Sequence, residues 1–212
     1  MRDKYPGYEA LGISETEGVD FEINARHGAS GIAVIAPHGG GIEPGTAEIA
    51  DAIAGSEHSF YCFKGTKSSG NAELHITSKN FDEPRGLRMV ESVDTVIAVH
   101  GCRKKDSVVR VGGLNHDLVA GLKQILTRSG FETKKTTTQG LQGISPENIC
   151  NRCQGRRGAQ LEVPETLRRK MFDQSGQFNS GVRTGVFQRF VAAVRSAISI
   201  YQGDPTANNR PG

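Results

Sequence analysis

The chain has 212 residues, of which 36% are hydrophobic and 23% are charged, and its formal net charge is +3. This length and composition are typical of one globular domain with a sizeable core, and so small a net charge gives no reason to expect a nucleic-acid partner. No apolar stretch approaches the roughly 20 residues that span a bilayer, and the N-terminus lacks the apolar core of a secretory signal. We therefore expect a cytoplasmic product that does not bind membranes.

Along the first half of the chain, short apolar runs alternate with helical patterns. Residues 1–30 are polar and interrupted by glycines, which favours a lead-in strand or an irregular segment. The run GIAVIA is continuously apolar, which is typical of a strand buried on both faces. The predicted elements are strands at 31–36, 59–65, 73–78 and 94–101, with helices at 44–55 and 84–92.

The second half continues the alternation. Its predicted elements are strands at 108–113, 131–138 and 158–164, and helices at 115–130, with Asn115 as a possible cap, and at 186–203. The alternation indicates an α/β fold, a single-domain three-layer sandwich with a mixed, mostly parallel central sheet. We expect one domain over residues 1–203 and a disordered tail over residues 204–212.

Two of the apolar runs end in His followed by Gly, at His38 and His100. Carboxyl ends of parallel strands meet at one edge of a sheet, where α/β proteins build their sites, so we expect the two imidazoles to lie side by side. Glu43 follows His38 through a Gly-rich turn, and two His with one Glu are a common catalytic zinc set. Each His alone is better interpreted as a hydrogen-bonded core residue, and Glu43 as a favourable charge at a helix start. Because both strands end in His and a Glu follows one of them, the pattern favours a metal site over two core histidines.

Hydrolysis at such a metal also needs a separate carboxylate as general acid and base. Glu162, in GAQLEVP, is the candidate, because it is a single acidic residue in an apolar strand, where burial disfavours an unpaired charge. An outward-facing residue of an edge strand fits the alternation of Leu161, Glu162 and Val163 equally well. The pattern alone leaves both interpretations open.

Basic residues recur in the segments predicted near strand ends, among them residues 103–105 directly after the second His-Gly pair. Each alone is ordinary surface charge, but their shared placement favours an anionic substrate. Few aromatic residues accompany them, which disfavours a nucleic-acid surface. Cys150 and Cys153 form a CxxC pair without a second pair or a suitably spaced His, so they predict no structural zinc site.

Five segments resemble those of the poly-γ-glutamate hydrolases of bacteriophages that infect Bacillus and of their bacterial relatives. In chain order they are APHGGGIEPGT, HITSKNFDEPR, AVHGC, VGGLN and AQLEVP, between residues 36 and 164. The resemblance implies a zinc peptidase with a zinc-carboxypeptidase-like fold that cleaves the γ-glutamyl amides of capsular poly-γ-glutamate. It implies one Zn²⁺ per chain, held by His38, Glu43 and His100, with Glu162 as the catalytic carboxylate. In one respect the chain departs from carboxypeptidases, because four residues rather than two separate the first His from the Glu.

The same resemblance implies side chains beside the metal that bind the free α-carboxylates of the polymer. We expect Arg85 and Arg157 to do so first, and His75 and Asn115 next. A phage enzyme of this kind is made in the host cytoplasm without a signal peptide and acts outside the cell after lysis, and we expect it to be a monomer. Two other functions remain open: a zinc amidohydrolase of small N-acyl amino acids, and a non-catalytic module that binds an anionic polymer.

Overall fold

A computed structural model of the chain describes residues 3–136, 141–172 and 182–203. Its strands are β1 (Phe21–Arg26), β2 (Ile32–Gly40), β3 (Ser59–Gly65), β4 (Thr95–Cys102), β5 (Val109–Gly113), β6 (Thr133–Lys135) and β7 (Ala159–Pro164). Its α-helices are α1 (Tyr8–Ser14), α2 (Thr46–Ala54), α3 (Pro84–Glu91), α4 (His116–Arg128), α5 (Glu165–Met171) and α6 (Gly185–Gly203). Two short 3₁₀ turns span Asn71–Leu74 and Ile149–Asn151.

The strands form one sheet in the order β1-β3-β2-β4-β7-β5-β6. Its centre is parallel, since β3, β2, β4 and β7 all run in the same direction. Near the edges β1 pairs antiparallel with β3, and β5 pairs antiparallel with β7. The edge strand β6 pairs parallel with β5. The predicted mixed, mostly parallel sheet is confirmed. The continuous apolar runs of β2 and β4 occupy its buried middle, as expected for strands covered on both faces.

Helices and turns cover both faces of the sheet, which gives the predicted three layers in a single domain. One apolar cluster joins the sheet to α2, α4, α5 and α6. The other joins the opposite face to α1, α3 and the two 3₁₀ turns. Among the described residues no helix combines the length and apolarity needed to cross a membrane.

Two local predictions differ from the structure. Residues 73–78 were expected to form a strand, but they form the end of a 3₁₀ turn and an irregular segment. The alternating Leu74 and Ile76 are nevertheless buried, because they pack into the second apolar cluster without joining the sheet. The N-terminal region contains the unpredicted helix α1 before the edge strand β1. The predicted tail, residues 204–212, lies outside the described residues.

A bulge near the end of β2 determines which face its last residues occupy. Three steps along β2, from Ala36 to Gly39, match two steps along β3, so β2 contains one extra residue there. Pro37 lies within this irregularity, where its missing N–H disturbs no ladder hydrogen bond. Ile35 pairs with Ala98 of β4, so a regular register would bring Pro37 beside His100. The extra residue brings His38 there instead.

Candidate metal centre

His38 and His100 lie side by side at the carboxyl edge of the sheet, on the neighbouring strands β2 and β4. Their side chains are 2% and 4% exposed, and their Nδ1 atoms are 3.2 Å apart. The geometric expectation from the two His-Gly strand ends therefore agrees with the structure. A regular strand alone would not have given it, since it depends on the bulge in β2.

Each imidazole is oriented by a contact through its other nitrogen. Nε2 of His38 donates to the carbonyl oxygen of Ile76 at 2.8 Å, which leaves the lone pair of the neutral ring on Nδ1. Nε2 of His100 lies 3.3 Å from Oγ of Ser78. Both partners belong to the irregular segment over residues 75–78. This segment fixes the orientation in which the two Nδ1 atoms face a common point.

Glu43 reaches the same point from the turn after β2. The turn closes through a hydrogen bond from the Glu43 N–H to the His38 carbonyl at 2.9 Å, and Gly40 adopts a positive φ of 61° within it. Oε1 of Glu43 is 3.4 Å from Nδ1 of His38, and Oε2 is 3.8 Å from Nδ1 of His100. Gly101 donates its N–H to Oε2 at 2.7 Å. Burial favours the neutral acid, but His38 and His100 outweigh it and hold the pKa of Glu43 well below its usual range.

The spacing of the two Nδ1 atoms and the two carboxylate oxygens of Glu43 fits zinc. Zinc in a tetrahedral protein site binds His nitrogen and carboxylate oxygen at 2.0–2.2 Å, which puts neighbouring ligand atoms roughly 3.4 Å apart. The distances of 3.2, 3.4 and 3.8 Å lie close to that value. The donor set also suits a borderline-soft ion, since it combines imidazole with carboxylate. The residues present therefore fit the metal that the sequence predicts.

His75 offers an alternative third ligand. Its ring centroid is 4.1 Å from that of His38, and the ligand atoms of His38, Glu43 and His75 lie within 4.8 Å of one another. Nδ1 of His75 is also 2.8 Å from a carboxylate oxygen of Asp3. Burial and the neighbouring His38 lower the pKa of His75 to about 4, against the opposing effect of Asp3.

Glu162 lies beside His100, its register partner across β4 and β7. The sequence left its burial open, and the structure places it in a central strand with 4% exposure. Gln160 donates a hydrogen bond to Oε1 of Glu162 at 3.1 Å. Burial raises the pKa of Glu162 to about 7, with Glu43 adding to the shift and His100 opposing it. A carboxyl group with this pKa exchanges protons readily near neutral pH.

A cleft of about 700 Å³ opens next to this centre. Its wall includes Glu43, His75, Gly101, Arg103 and Arg168. Of the four residues predicted to bind substrate, His75 is the one that lines the cleft. Arg168 was missed because the short helix α5, directly after Pro164, was not predicted. The position of ETLRRKM immediately after a carboxyl strand end is the signal that could have identified it.

The structure places Arg85 away from the cleft, in an ion-pair network at the start of α3. Its Nη1 and Nη2 donate to both oxygens of Glu17 at 2.8 and 2.7 Å, and Nε donates to Glu83 at 2.8 Å. All three nitrogens of the Arg85 guanidinium therefore donate to carboxylates of the protein. The expectation that Arg85 binds a carboxylate of the substrate does not fit the structure.

Arg157 and Asn115 lie at the opposite end of the sheet. The Arg157 carbonyl accepts a hydrogen bond from Thr95, the first residue of β4, and five steps along the strand separate Thr95 from His100 by roughly 16 Å. Asn115 also contacts Thr95 and caps α4 by accepting from the Leu118 N–H at 3.1 Å. Neither expectation fits the structure, because both residues stand at the amino edge of the sheet.

Comparison with known proteins decides the family. The family model described as poly-gamma-glutamate hydrolase matches residues 5–193. The chain belongs to the poly-gamma-glutamate hydrolase family. A solved structure of a bacteriophage poly-gamma-glutamate hydrolase covers 95% of this chain and 99% of its own, with 32% identity and a TM-score of 0.90. The predicted family is therefore confirmed, and with it the predicted class of enzyme, a hydrolase.

Two further comparisons involve YndL. The YndL protein of Bacillus subtilis (strain 168) is 37% identical over 171 residues, which are 80% of this chain and 67% of that protein. A structure of YndL described as an apo, zinc-free form covers 93% of this chain and 98% of its own, with 33% identity and a TM-score of 0.88. This hydrolase and YndL therefore share one fold.

Proposed function

We propose that the protein is a zinc-dependent hydrolase that cleaves the γ-glutamyl amide bonds of poly-γ-glutamate. The observation that carries the proposal is the buried triangle formed by Nδ1 of His38, Nδ1 of His100 and the carboxylate of Glu43, with Glu162 as the strand neighbour of His100. Membership of the poly-gamma-glutamate hydrolase family supports the reaction and the substrate.

In the proposed centre one zinc ion per chain is held by His38, Glu43 and His100. Bound zinc supplies a Lewis acid that polarises the amide carbonyl and favours deprotonation of water near neutral pH. Glu162 accepts the proton of the attacking water and delivers it to the departing nitrogen, because its raised pKa of about 7 suits it to both transfers. The hydrogen bond from Gln160 orients the Glu162 carboxyl for this exchange.

The proposed substrate is a polyanion, since each unit of poly-γ-glutamate carries a free α-carboxylate. The cleft wall carries three arginines, Arg103, Arg168 and Arg169, and three carboxylates. The choice is supported by Arg168, which is buried and forms no ion pair with any described carboxylate. We extend the proposal to a monomeric depolymerase of phage type that acts on the capsule outside the cell. The similarity to the bacteriophage hydrolase supports this role.

The experiment compares Glu162→Gln with the wild type for polymer length and zinc content. The matched control is Glu132→Gln, which makes the same change at an exposed position before β6. We expect the wild type and the control to shorten poly-γ-glutamate, and Glu162→Gln to retain zinc but lose at least about 100-fold in rate. Unchanged cleavage by Glu162→Gln would remove Glu162 from the mechanism. A zinc-loaded wild type that leaves the polymer intact but hydrolyses N-acyl amino acids would overturn the substrate assignment.

A further inference from the structure

Arg168 is a buried arginine at the mouth of the candidate centre. Its residue exposure is 3%, although it belongs to a short helix at the edge of the cleft. Its Nε donates to the Val163 carbonyl at 3.1 Å, and its Nη1 donates to the Pro44 carbonyl. These two bonds attach the guanidinium to the end of β7 and to the turn that carries Glu43. The group is thus held in one place by backbone atoms.

The guanidinium lies against the end of β4. A Cβ atom added to Gly101 would be 2.7 Å from Cζ of Arg168, so only glycine leaves room for the guanidinium in this position. The same Gly101 donates its N–H to Glu43. Arg168 therefore borders the cleft directly beside the residues proposed to hold zinc, and it shares the cleft wall with Glu43 and His75.

Arg168 forms no direct ion pair with a described carboxylate, although Glu43 and Glu165 act on its charge from a longer distance. Among the described residues no Asp or Glu oxygen lies within 4.0 Å of its nitrogens, and both of its hydrogen-bond acceptors are neutral carbonyls. The equally buried Arg110 provides a contrast, since Asp106 binds its Nη2 at 2.6 Å. A buried cation with only neutral partners is unfavourable unless an anion completes the site. Neither nearby carboxylate binds the guanidinium directly, because Glu43 contacts His38 and His100 and Glu165 accepts from Arg169.

We propose that Arg168 is the carboxylate-binding residue of the cleft, and that it holds the free α-carboxylate of the glutamate unit next to the cleaved amide. The inference rests on the proposed function for the identity of the substrate. Nε and one Nη1 hydrogen are already used, which leaves N–H groups on Nη1 and Nη2 to form a two-pronged contact with both carboxylate oxygens. Such a contact anchors one unit of the polymer beside the metal and distinguishes it from an ordinary peptide unit, which has no free α-carboxylate.

The test measures kcat and KM of the zinc-loaded enzyme on two γ-glutamyl oligomers of equal length. One oligomer carries free α-carboxylates, and the other carries α-carboxamides. Arg168→Gln removes the positive charge, and Arg168→Lys keeps the charge but not the planar guanidinium. Arg189→Gln, at an exposed position of α6, is the control. Zinc content and thermal unfolding are recorded for each variant, so that a folding defect is recognised.

We expect the wild type and Arg189→Gln to prefer the carboxylate oligomer by about 100-fold in kcat/KM. Arg168→Gln should lose most of this preference with its zinc content unchanged, and Arg168→Lys should retain part of it. Equal losses on both oligomers would overturn the proposal, because they would indicate a role at the carbonyl or in folding. An unchanged preference in both folded variants would overturn it as well.

A separate readout distinguishes this inference from the proposed function. If the zinc-loaded wild type cleaves neither oligomer, the hydrolase proposal fails, and calorimetric titration with glutarate then decides the subsite. Binding of glutarate that is weakened at least 10-fold in Arg168→Gln but not in Arg189→Gln supports the carboxylate site. Equal binding by the three proteins contradicts it.

Discussion

The imidazoles of His38 and His100 turn their Nδ1 atoms toward each other across 3.2 Å, while Nε2 of each ring is directed at a separate oxygen. The Ile76 carbonyl can only accept, so the neutral His38 ring has its lone pair on Nδ1. Oγ of Ser78 can donate or accept, so Nδ1 of His100 either donates a proton to this lone pair or offers a second lone pair that allows a metal ion to bind between the rings. The carboxylate of Glu43 at the same point adds the negative charge that a divalent cation requires.

Removal of the hydroxyl of Ser78 should weaken zinc binding without changing the ligands. Oγ of Ser78 orients His100 from a distance of 3.3 Å, and partners of this kind contribute about 10-fold or more to metal affinity. We expect Ser78→Ala to bind zinc about 10-fold less tightly in competition with a chromogenic chelator. Ser199→Ala, at an exposed position of α6, is the control. Equal affinity in all three proteins would show that Ser78 does not support the centre.

Substitution of His75 should separate the two possible ligand sets. Nδ1 of His100 is 3.2 Å from Nδ1 of His38, whereas Nδ1 of His75 contacts Asp3, so His75→Ala is expected to keep its zinc at full stoichiometry. The measurement is zinc content by atomic absorption after gel filtration, with the exposed His27→Ala as the control. Loss of zinc from His75→Ala alone would assign the third ligand to His75 and remove His100 from the set.

The raised pKa of Glu162 has a consequence for the stability of the metal-free protein. Its folded-state pKa of about 7 exceeds the unfolded value of 4.5, so the folded state binds this proton more tightly. The stabilisation is fully present below pH 4.5 and is lost as the pH rises through 7. At 1.36 kcal/mol per pKa unit the loss is on the order of 3 kcal/mol.

Glu162→Gln removes this titration, so the advantage of the variant over the wild type should grow as the pH rises from 5 to 8. Urea unfolding of both metal-free proteins at several pH values measures the difference. A difference in unfolding free energy that stays constant with pH would mean that Glu162 titrates normally in the folded protein.

The location of the centre could be predicted because it depends on a general rule of parallel sheets. His38 and His100 each follow a buried apolar run, and carboxyl strand ends converge at one edge. The bulge in β2 could not be predicted, since the pattern gives no sign of an extra residue beyond Pro37. Without the extra residue, Pro37 rather than His38 would lie beside His100, so the predicted pairing of the two imidazoles depends on this bulge.

The residues expected to bind substrate illustrate a different limit. Arg157 precedes its strand, so its order in the sequence could have excluded it. Asn115 follows β5, and it lies at the amino edge of the sheet because β5 is antiparallel to β7, which its order in the sequence does not reveal. Arg85 could not be excluded in this way, because its partners Glu17 and Glu83 are set by tertiary packing. The edge on which Arg168 lies could have been predicted from its position after β7, but its burial and the absence of an ion pair with any described carboxylate are set by tertiary packing.

The most direct test of the account is zinc content measured together with poly-γ-glutamate cleavage for the wild type, His100→Ala and the exposed control His116→Ala. The account predicts about one zinc per chain and chelator-sensitive cleavage for the wild type and the control. Both zinc and cleavage should be lost in His100→Ala. A folded wild type that binds no zinc, or a His100→Ala variant that keeps both zinc and activity, would contradict it.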